Sequence, residues 1–270
     1  MPRLTLDPSL YRWTDAKNGD KIRLLSKADF ERFNLDLLGL GNVLATATPV
    51  DTIAAMFDLQ GFTNFCKQIE PQFPVPIYLN AYLTWVMEQL RNEMKHSDIG
   101  NDVGLWCPLP YYVKFLGDGL LILWDASQAK ASGHRNVVLS AYEICRAYKR
   151  NFLPTIRDKV VEPPPGLRCG LARGTVLSVG EGADYVGSCI NMAARVQKLP
   201  GTSFAFNKRG FELEGNKPEP AVFFTRDIVV KEIAIRGIGD HELVCILRSE
   251  AEALSAKDKK FFKAVGKTPS

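Results

Sequence analysis

Nothing in this sequence is apolar for long enough to cross a membrane: no stretch reaches the ~18 residues that a spanning helix needs. The opening residues, Met1-Pro2-Arg3-Leu4-Thr5-Leu6-Asp7-Pro8, lack the apolar block of a secretory leader, so a cytoplasmic location is expected. Cys66, Cys107, Cys145, Cys169, Cys189 and Cys245 form no CxxC unit, and in a cytoplasmic chain they read as reduced, mostly buried thiols. His96, His134 and His241 stand far apart and make no zinc motif. A Walker A loop is missing. Gly39-Leu40-Gly41 begins like a dinucleotide loop, but Leu44 occupies the place of its third glycine. Zinc hydrolases, P-loop kinases and dinucleotide-dependent dehydrogenases are left without support.

What is present is an ordinary folded composition. The chain has 270 residues, 46% hydrophobic and 24% charged, with 21 Gly and 16 Pro, which excludes disorder and collagen-like fibre. Its net charge of +4 has an address: Lys257, Lys259, Lys260, Lys263 and Lys267 stand against Asp258 in the last sixteen residues. The rest is about neutral. A short basic tail of this kind is expected to be solvated, with no nucleic-acid partner.

Residues 1–48 read as an extension, 49–250 as the main domain and 251–270 as the tail. Ser26 followed by Asp29 forms a capping box, predicting a helix towards Leu38 that ends near Gly39. Thr52–Asp58 is a short apolar run ending in an acid, the pattern of a buried strand. Gly61-Phe62-Thr63 opens a helix that stops before Pro71, Pro74 and Pro76. Leu79, Leu83, Val86, Leu90 and Met94 then recur at helical spacing. Tyr111–Leu116, Gly117-Asp118-Gly119 and Leu120–Trp124 predict a hairpin, with Asp-Gly as its turn. A second long helix is expected over about 135–152, a strand pair around Gly174 within 167–179, and a helix over 190–197. Two strands, 228–235 and 242–247, meet at Gly237-Ile238-Gly239. From Thr52 the order is βαββαβ. This predicts an α/β (α+β) ferredoxin-like domain, an antiparallel-rich sheet with helices on one face.

Three segments concentrate chemistry. In Phe57-Asp58-Leu59-Gln60-Gly61-Phe62-Thr63 an acid ends a strand and a glycine turn leads into a helix. The carboxylate can hold a divalent cation while backbone amides hold phosphate. The same pattern also suits a simple helix cap. In Lys114-Phe115-Leu116-Gly117-Asp118-Gly119 the acid sits at a hairpin tip, where it can serve the turn alone or share a metal pair with Asp58. In Asp184-Tyr185-Val186-Gly187-Ser188-Cys189-Ile190-Asn191-Met192-Ala193-Ala194-Arg195, Asn191 and Arg195 share one helical face. Such a pair suits the charge that develops on a pentavalent phosphate, or a solvated face. The small residues around it favour a close approach by something.

Together, in this order, these segments resemble the catalytic domain of the class III nucleotidyl cyclases, the adenylate and guanylate cyclase family, over about residues 50–248. The resemblance implies Asp58 and Asp118 as ligands of two divalent cations, Mn²⁺ or Mg²⁺, with the Leu59 carbonyl beside them. It implies the amides of Gly61, Phe62 and Thr63 as a phosphate cradle, with Arg236 on the terminal phosphates. Lys114 and Asp184 take the base-reading positions, Asn191 orients the ribose and Arg195 stabilises the transition state. It also implies a homodimer whose two sites each draw on both chains, acting on a nucleoside triphosphate.

Within the family, a chain with no attached sensory or membrane module, a bulky Leu120–Trp124 and Tyr185 beside Asp184 looks similar to stand-alone bacterial pyrimidine cyclases of anti-phage defence. Those make cyclic UMP or cyclic CMP for a separate effector. Lys114 as donor and Asp184 as acceptor match the edges of adenine, uracil and cytosine alike. The choice therefore falls on pocket volume: aromatic bulk favours UTP, and an adenylate cyclase is the alternative. A nucleotide-binding dimerisation module without turnover is the non-enzymatic one.

Overall fold

The structure, a computed structural model, describes residues 12–15, 18, 21–31, 34–213 and 223–265. They fall into two compact units, residues 1–49 with 177–186, and residues 50–176 with 187–270.

The first unit carries β1 (Arg12–Asp15) and β2 (Lys21–Leu24), an antiparallel hairpin in which the Arg23 guanidinium lies 4.5 Å over the Trp13 ring. The helix expected to reach Leu38 is instead a short α1 (Lys27–Glu31) followed by a separate 3₁₀ turn, Leu35–Leu38. The Asp29 side chain of the expected capping box lies outside the described residues.

The second unit is built on β3 (Pro49–Gln60), α2 (Phe62–Phe65), α3 (Pro74–Met94), a small hairpin of β4 (Lys95–Ile99) and β5 (Asp102–Leu105), then β6 (Tyr112–Phe115), β7 (Gly119–Asp125), α4 (Ala131–Ala147), α5 (Leu153–Arg157) and β8 (Gly166–Val179). The last residues of β8, Leu177–Val179, pair within the first unit with β9 (Asp184–Val186). There follow α6 (Ser188–Val196), β10 (Phe204–Asn207), β11 (Ile228–Ile235), β12 (Gly239–Leu247), α7 (Arg248–Ala253) and β13 (Lys263–Ala264). The sheet runs β13-β11-β12-β10-β8-β3-β7-β6. Its β8-β3-β7-β6 portion places the four core strands in the order fourth, first, third, second, the split βαβ arrangement of a ferredoxin-like sheet. Pairing is antiparallel at β3–β7, β6–β7, β10–β12 and β11–β12, and parallel at β8–β10. The mixed α/β fold is the expected one.

Alternation along the strands sorts the sheet into two faces. Ile53, Ala55, Phe57 and Leu59 of β3, Leu120, Ile122 and Trp124 of β7, and Leu167, Cys169 and Leu171 of β8 join α3 and α4 in one buried cluster. On α3 the most buried positions are Tyr78, Tyr82, Val86, Leu90 and Met94. The expected Leu79 and Leu83 sit one position round, partly buried against the same core. Tyr78 and Tyr148 reach full burial because aromatic neighbours and hydroxyl partners receive them. Tyr148 donates its hydroxyl to the Pro164 carbonyl at 2.6 Å, so Tyr78 must be the donor in its 2.8 Å bond to Tyr148. Burial raises both phenols, Tyr148 to about 12.

The helix opened at Gly61 does stop before the prolines, at Phe65, and Pro74 and Pro76 then open α3, since the first turn needs no N–H. Other expectations change. The second long helix is α4, a π-helical turn Tyr148–Phe152 and α5 in succession. Leu167–Val179 is not a strand pair around Gly174 but part of one 14-residue strand. Gly174 is there because a Cβ would press 3.2 Å from Cys189 Cβ of α6. The hairpin turn is Gly117-Asp118 rather than Asp118-Gly119: positive φ falls on Gly117, at 93°, and Leu116 N–H closes the turn on the Gly119 carbonyl at 2.9 Å. The basic tail is not wholly solvated either, because β13 pairs with β11 and Phe262 is buried. Lys267 lies outside the described residues.

Within the aromatic core, the Tyr82 hydroxyl is buried without a hydrogen-bond partner, whereas the Tyr148 hydroxyl serves two. Tyr82→Phe should therefore leave stability unchanged or raise it by about 1 kcal/mol, while Tyr148→Phe should cost about 1–3 kcal/mol. Urea unfolding of the two variants beside the wild type checks this; equal losses would contradict the assignment.

Candidate active site

Asp58 and Asp118 arrive from motifs sixty residues apart in sequence, and strand register brings them together. Asp58 of β3 lies opposite Gly119 of β7, and Leu59 donates its N–H to the Asp118 carbonyl at 2.9 Å. The approach is close enough that a Cβ on Gly119 would sit 2.1 Å from the Phe57 carbonyl oxygen. Asp118 follows Gly117 at the tip of the hairpin. The Cys66 thiol feels this carboxylate: its pKa is raised by burial first and by the Asp118 charge second.

Sequence reading missed Arg168. From β8 it donates Nη2 to Asp58 Oδ2 at 2.6 Å, with the two side chains 26% and 17% exposed. An arginine in a strand looks like any solvent-facing residue until register shows its neighbour. Alternation puts Asp58 and Arg168 on the face away from α3 and α4. Lys114 is half-buried on β6 opposite Leu121, and by the same alternation lies on that face too.

Gly61 has φ 72° and ψ 11°, a left-handed conformation that suits glycine. Its carbonyl accepts from Asn64 and Phe65, and the helix that follows, with Phe62 and Thr63 in its first turn, has four residues. So short a helix offers free first-turn amides but little macrodipole.

Asn191 and Arg195 are both exposed on α6, on one face as expected. The small residues there serve the helix itself: a Cβ on Gly170 of β8 would lie 2.3 Å from the Ala193 carbonyl, and one on Gly187 would lie 2.7 Å from the Thr175 carbonyl. What approaches closely is β8. A cavity of about 290 Å³ lies between the start of α6 and the Gly237-Ile238 turn, lined also by Arg173, Arg209 and the buried Glu242, which accepts from Asn207 at 3.0 Å. Burial pushes the Cys189 thiol there up to about 11. Arg236 is exposed on that turn. Among the described residues, no hydrogen bond or ion pair joins Asn191, Arg195 or Arg236 to Asp58 or Asp118. Asp184 and Tyr185 belong to the first unit, where the Asp184 carboxylate accepts the Tyr185 N–H at 2.9 Å and Tyr185 pairs with Ser178.

Among the described residues no three His, Cys, Asp or Glu side chains gather as a ready-made metal site. Two carboxylates and a main-chain carbonyl still fit Mg²⁺ or Mn²⁺, which take one or two carboxylates and complete their shell with water and substrate phosphates. Arg168 supplies the charge that holds Asp58 meanwhile.

No family model matches the sequence, and no curated protein does. Solved structures that share its architecture include the guanylyl cyclase domain of the RhoGC fusion protein from Blastocladiella emersonii as a double mutant, with 15% identity over 75% of this chain and 97% of that one at a TM-score of 0.47. The guanylate cyclase domain of RhGC from Catenaria anguillulae, in complex with GTP, has 14% identity over 74% and 98% at 0.45. An adenylate/guanylate cyclase/hydrolase from Silicibacter pomeroyi has 15% identity over 74% and 98% at 0.44. Likenesses this distant carry no weight for activity. Among the described residues no helix is long and apolar enough to cross a membrane.

The β3–β7 contact makes a testable demand. Gly119→Ala must push the strands apart where the two aspartates meet, so it should destabilise the fold by about 1–3 kcal/mol. Denaturant titration measures this; a variant as stable as the wild type would show that the strands do not approach so closely.

Proposed function

We propose that this protein is a metal-dependent nucleotidyl cyclase converting a nucleoside triphosphate to a 3′,5′-cyclic nucleotide and pyrophosphate, with UTP as its substrate. The observation that supports the reading is that strand register sets Asp58 opposite Gly119 and binds Leu59 to the Asp118 main chain, so that two separated sequence motifs become neighbours. Bound there, the cations would acidify the ribose 3′-hydroxyl and neutralise the phosphates. Gly61, Phe62 and Thr63 would offer main-chain N–H groups to the phosphates, and Arg236 a positive charge. Asn191 would orient the ribose. Arg195 would meet the charge that grows on the α-phosphoryl group. Lys114 and Asp184 would bond the base edge, and Tyr185 would narrow the space around it.

That Asn191 and Arg195 make no described contact with the aspartates agrees with a homodimer in which each site takes its metal ligands from one chain and its transition-state residues from the other. In such a scheme the product is a second messenger for a separate effector, as in anti-phage defence.

Incubating the protein with each of the four triphosphates and Mn²⁺ tests the reading directly. Cyclic UMP should dominate. Cyclic AMP as the main product in a four-nucleotide competition would replace the pyrimidine reading with an adenylate cyclase, and no cyclic product from any nucleotide would sink the enzyme reading. Asp58→Ala or Asp118→Ala should abolish turnover, because either removes a carboxylate from the metal pair. Asp58→Ala also leaves Arg168 without its ion-pair partner, so that variant's thermal midpoint is measured beside its activity.

Mixing separates the two-chain site from a one-chain site. Asp58→Ala and Arg195→Ala chains, each inactive alone, should recover part of the activity together, since one of the two sites in a mixed dimer carries neither change. Mixed dimers that form and stay inactive would exclude shared sites.

A further inference from the structure

Beside the aspartate pair, on the far side of Arg168, lies a cavity of about 320 Å³ to which the family resemblance assigns nothing. Gln60, Lys149, Arg168, Lys198, Ser203 and Glu250 line it. Three of these carry positive charge. Neither Lys149 nor Lys198 is held in an ion pair among the described residues, and Arg168 uses one N–H of its guanidinium on Asp58. The Arg168 Nε is buried with no partner. That N–H is closed off, so the positive charge presented to the cavity is that of the two lysines and the remainder of the Arg168 guanidinium.

The cavity is built rather than incidental. Lys149 is delivered by the π-helical turn Tyr148–Phe152, an irregularity that recurs where helices carry function. Gly166 makes room for it: a Cβ there would lie 2.2 Å from Gln60 Oε1 and 3.3 Å from Lys149 Cε. The Gln60 amide supplies a further neutral donor. The one acid, Glu250, turns its Oε1 to the N–H and the hydroxyl of Ser203, while its Oε2 is buried without a partner.

We propose that this cavity is a binding site for a diphosphate-type anion, held between the Lys149 and Lys198 ammonium groups and the Arg168 guanidinium. Two separated lysines and one guanidinium match an anion with charge at both ends better than a single tetrahedral one. Arg168 lines the cavity while donating Nη2 to Asp58, so occupancy of the cavity and the electrostatics at Asp58 are coupled. On the cyclase reading the occupant is the pyrophosphate product. The binding itself does not depend on that reading.

Calorimetric titration of the intact wild-type protein in EDTA, with no nucleotide present, tests the site apart from any turnover. Pyrophosphate should bind saturably, at one per chain, and at least tenfold tighter than orthophosphate or sulfate. The Lys149→Gln/Lys198→Gln double variant, with circular dichroism and thermal midpoint unchanged, should bind it at least tenfold more weakly. Each single variant should show an intermediate loss, which keeps the test usable if the pair unfolds. Unsaturable binding by the wild type, or unaltered affinity in the folded variants, would overturn the site. Orthophosphate binding as tightly as pyrophosphate would overturn its diphosphate character. Because metal and substrate are absent, a negative result leaves the cyclase reading standing, and a failure to make cyclic nucleotides leaves this one standing.

Discussion

A Cβ on Gly119 would lie 2.1 Å from the Phe57 carbonyl oxygen, so β3 and β7 close on one another there only because position 119 has no side chain. Much else depends on this contact. It sets the register in which Asp58 faces Gly119 and Leu59 binds the Asp118 carbonyl. A slip of one residue would turn Asp58 into the core and Phe57 out of it, since strand side chains alternate between faces. The core enforces the register from the other side: Phe57 and Leu59 are buried against the helices, so the intervening Asp58 must point away from them. The outward placement of the Asp58 carboxylate is thus a by-product of hydrophobic sorting by Phe57 and Leu59.

The same sorting collects Lys114 and Arg168 on the face that α3 and α4 leave uncovered, and α6 packs there against Gly170. Arg168 answers the electrostatic problem this creates. An isolated carboxylate with a side chain 17% exposed would be poorly solvated, and the guanidinium at 2.6 Å supplies the missing charge. A divalent cation at Asp58 would have to take over that role. The arginine then has charge to spare for an anion, and the neighbouring cavity carries two more cations. If Asp58 holds a cation and the cavity an anion, as proposed, the two are linked through Arg168, and a change at one alters what the other requires.

How much of this could be read in advance follows from which forces are local. The hairpin at Gly117-Asp118 was legible because two apolar runs flank a glycine turn, but the choice between its two possible centres depended on backbone dihedrals that letters do not carry. Asp58 and Asp118 were legible as candidates, each beside glycines at the end of an apolar segment. Arg168 was not, because its meaning is the cross-strand neighbour and nothing around it in sequence names that neighbour. On α3 the spacing predicts Val86, Leu90 and Met94 correctly, while in its first half Tyr78 and Tyr82 go deeper than Leu79 and Leu83. Tyr78 can do so because its hydroxyl bonds Tyr148, and Tyr82 because aromatic rings surround it. Gly174 was taken for a turn, a reading that holds when a glycine's freedom is used for dihedrals. Here its small size is used instead, to admit α6.

The two uses of glycine bear on the site's architecture. At Gly61 and Gly117 positive φ turns the chain tightly beside each aspartate, which exposes main-chain N–H groups and sets the Asp118 tip. At Gly119, Gly170 and Gly187 the missing Cβ lets backbone meet backbone, which brings β7 to β3 and α6 to β8. The first group sets the two turns beside the aspartates. The second fixes the spacing of whole elements, because any side chain there would clash with main chain, so the strands that carry Asp58 and Arg168 and the base of α6 are held by backbone-to-backbone contact.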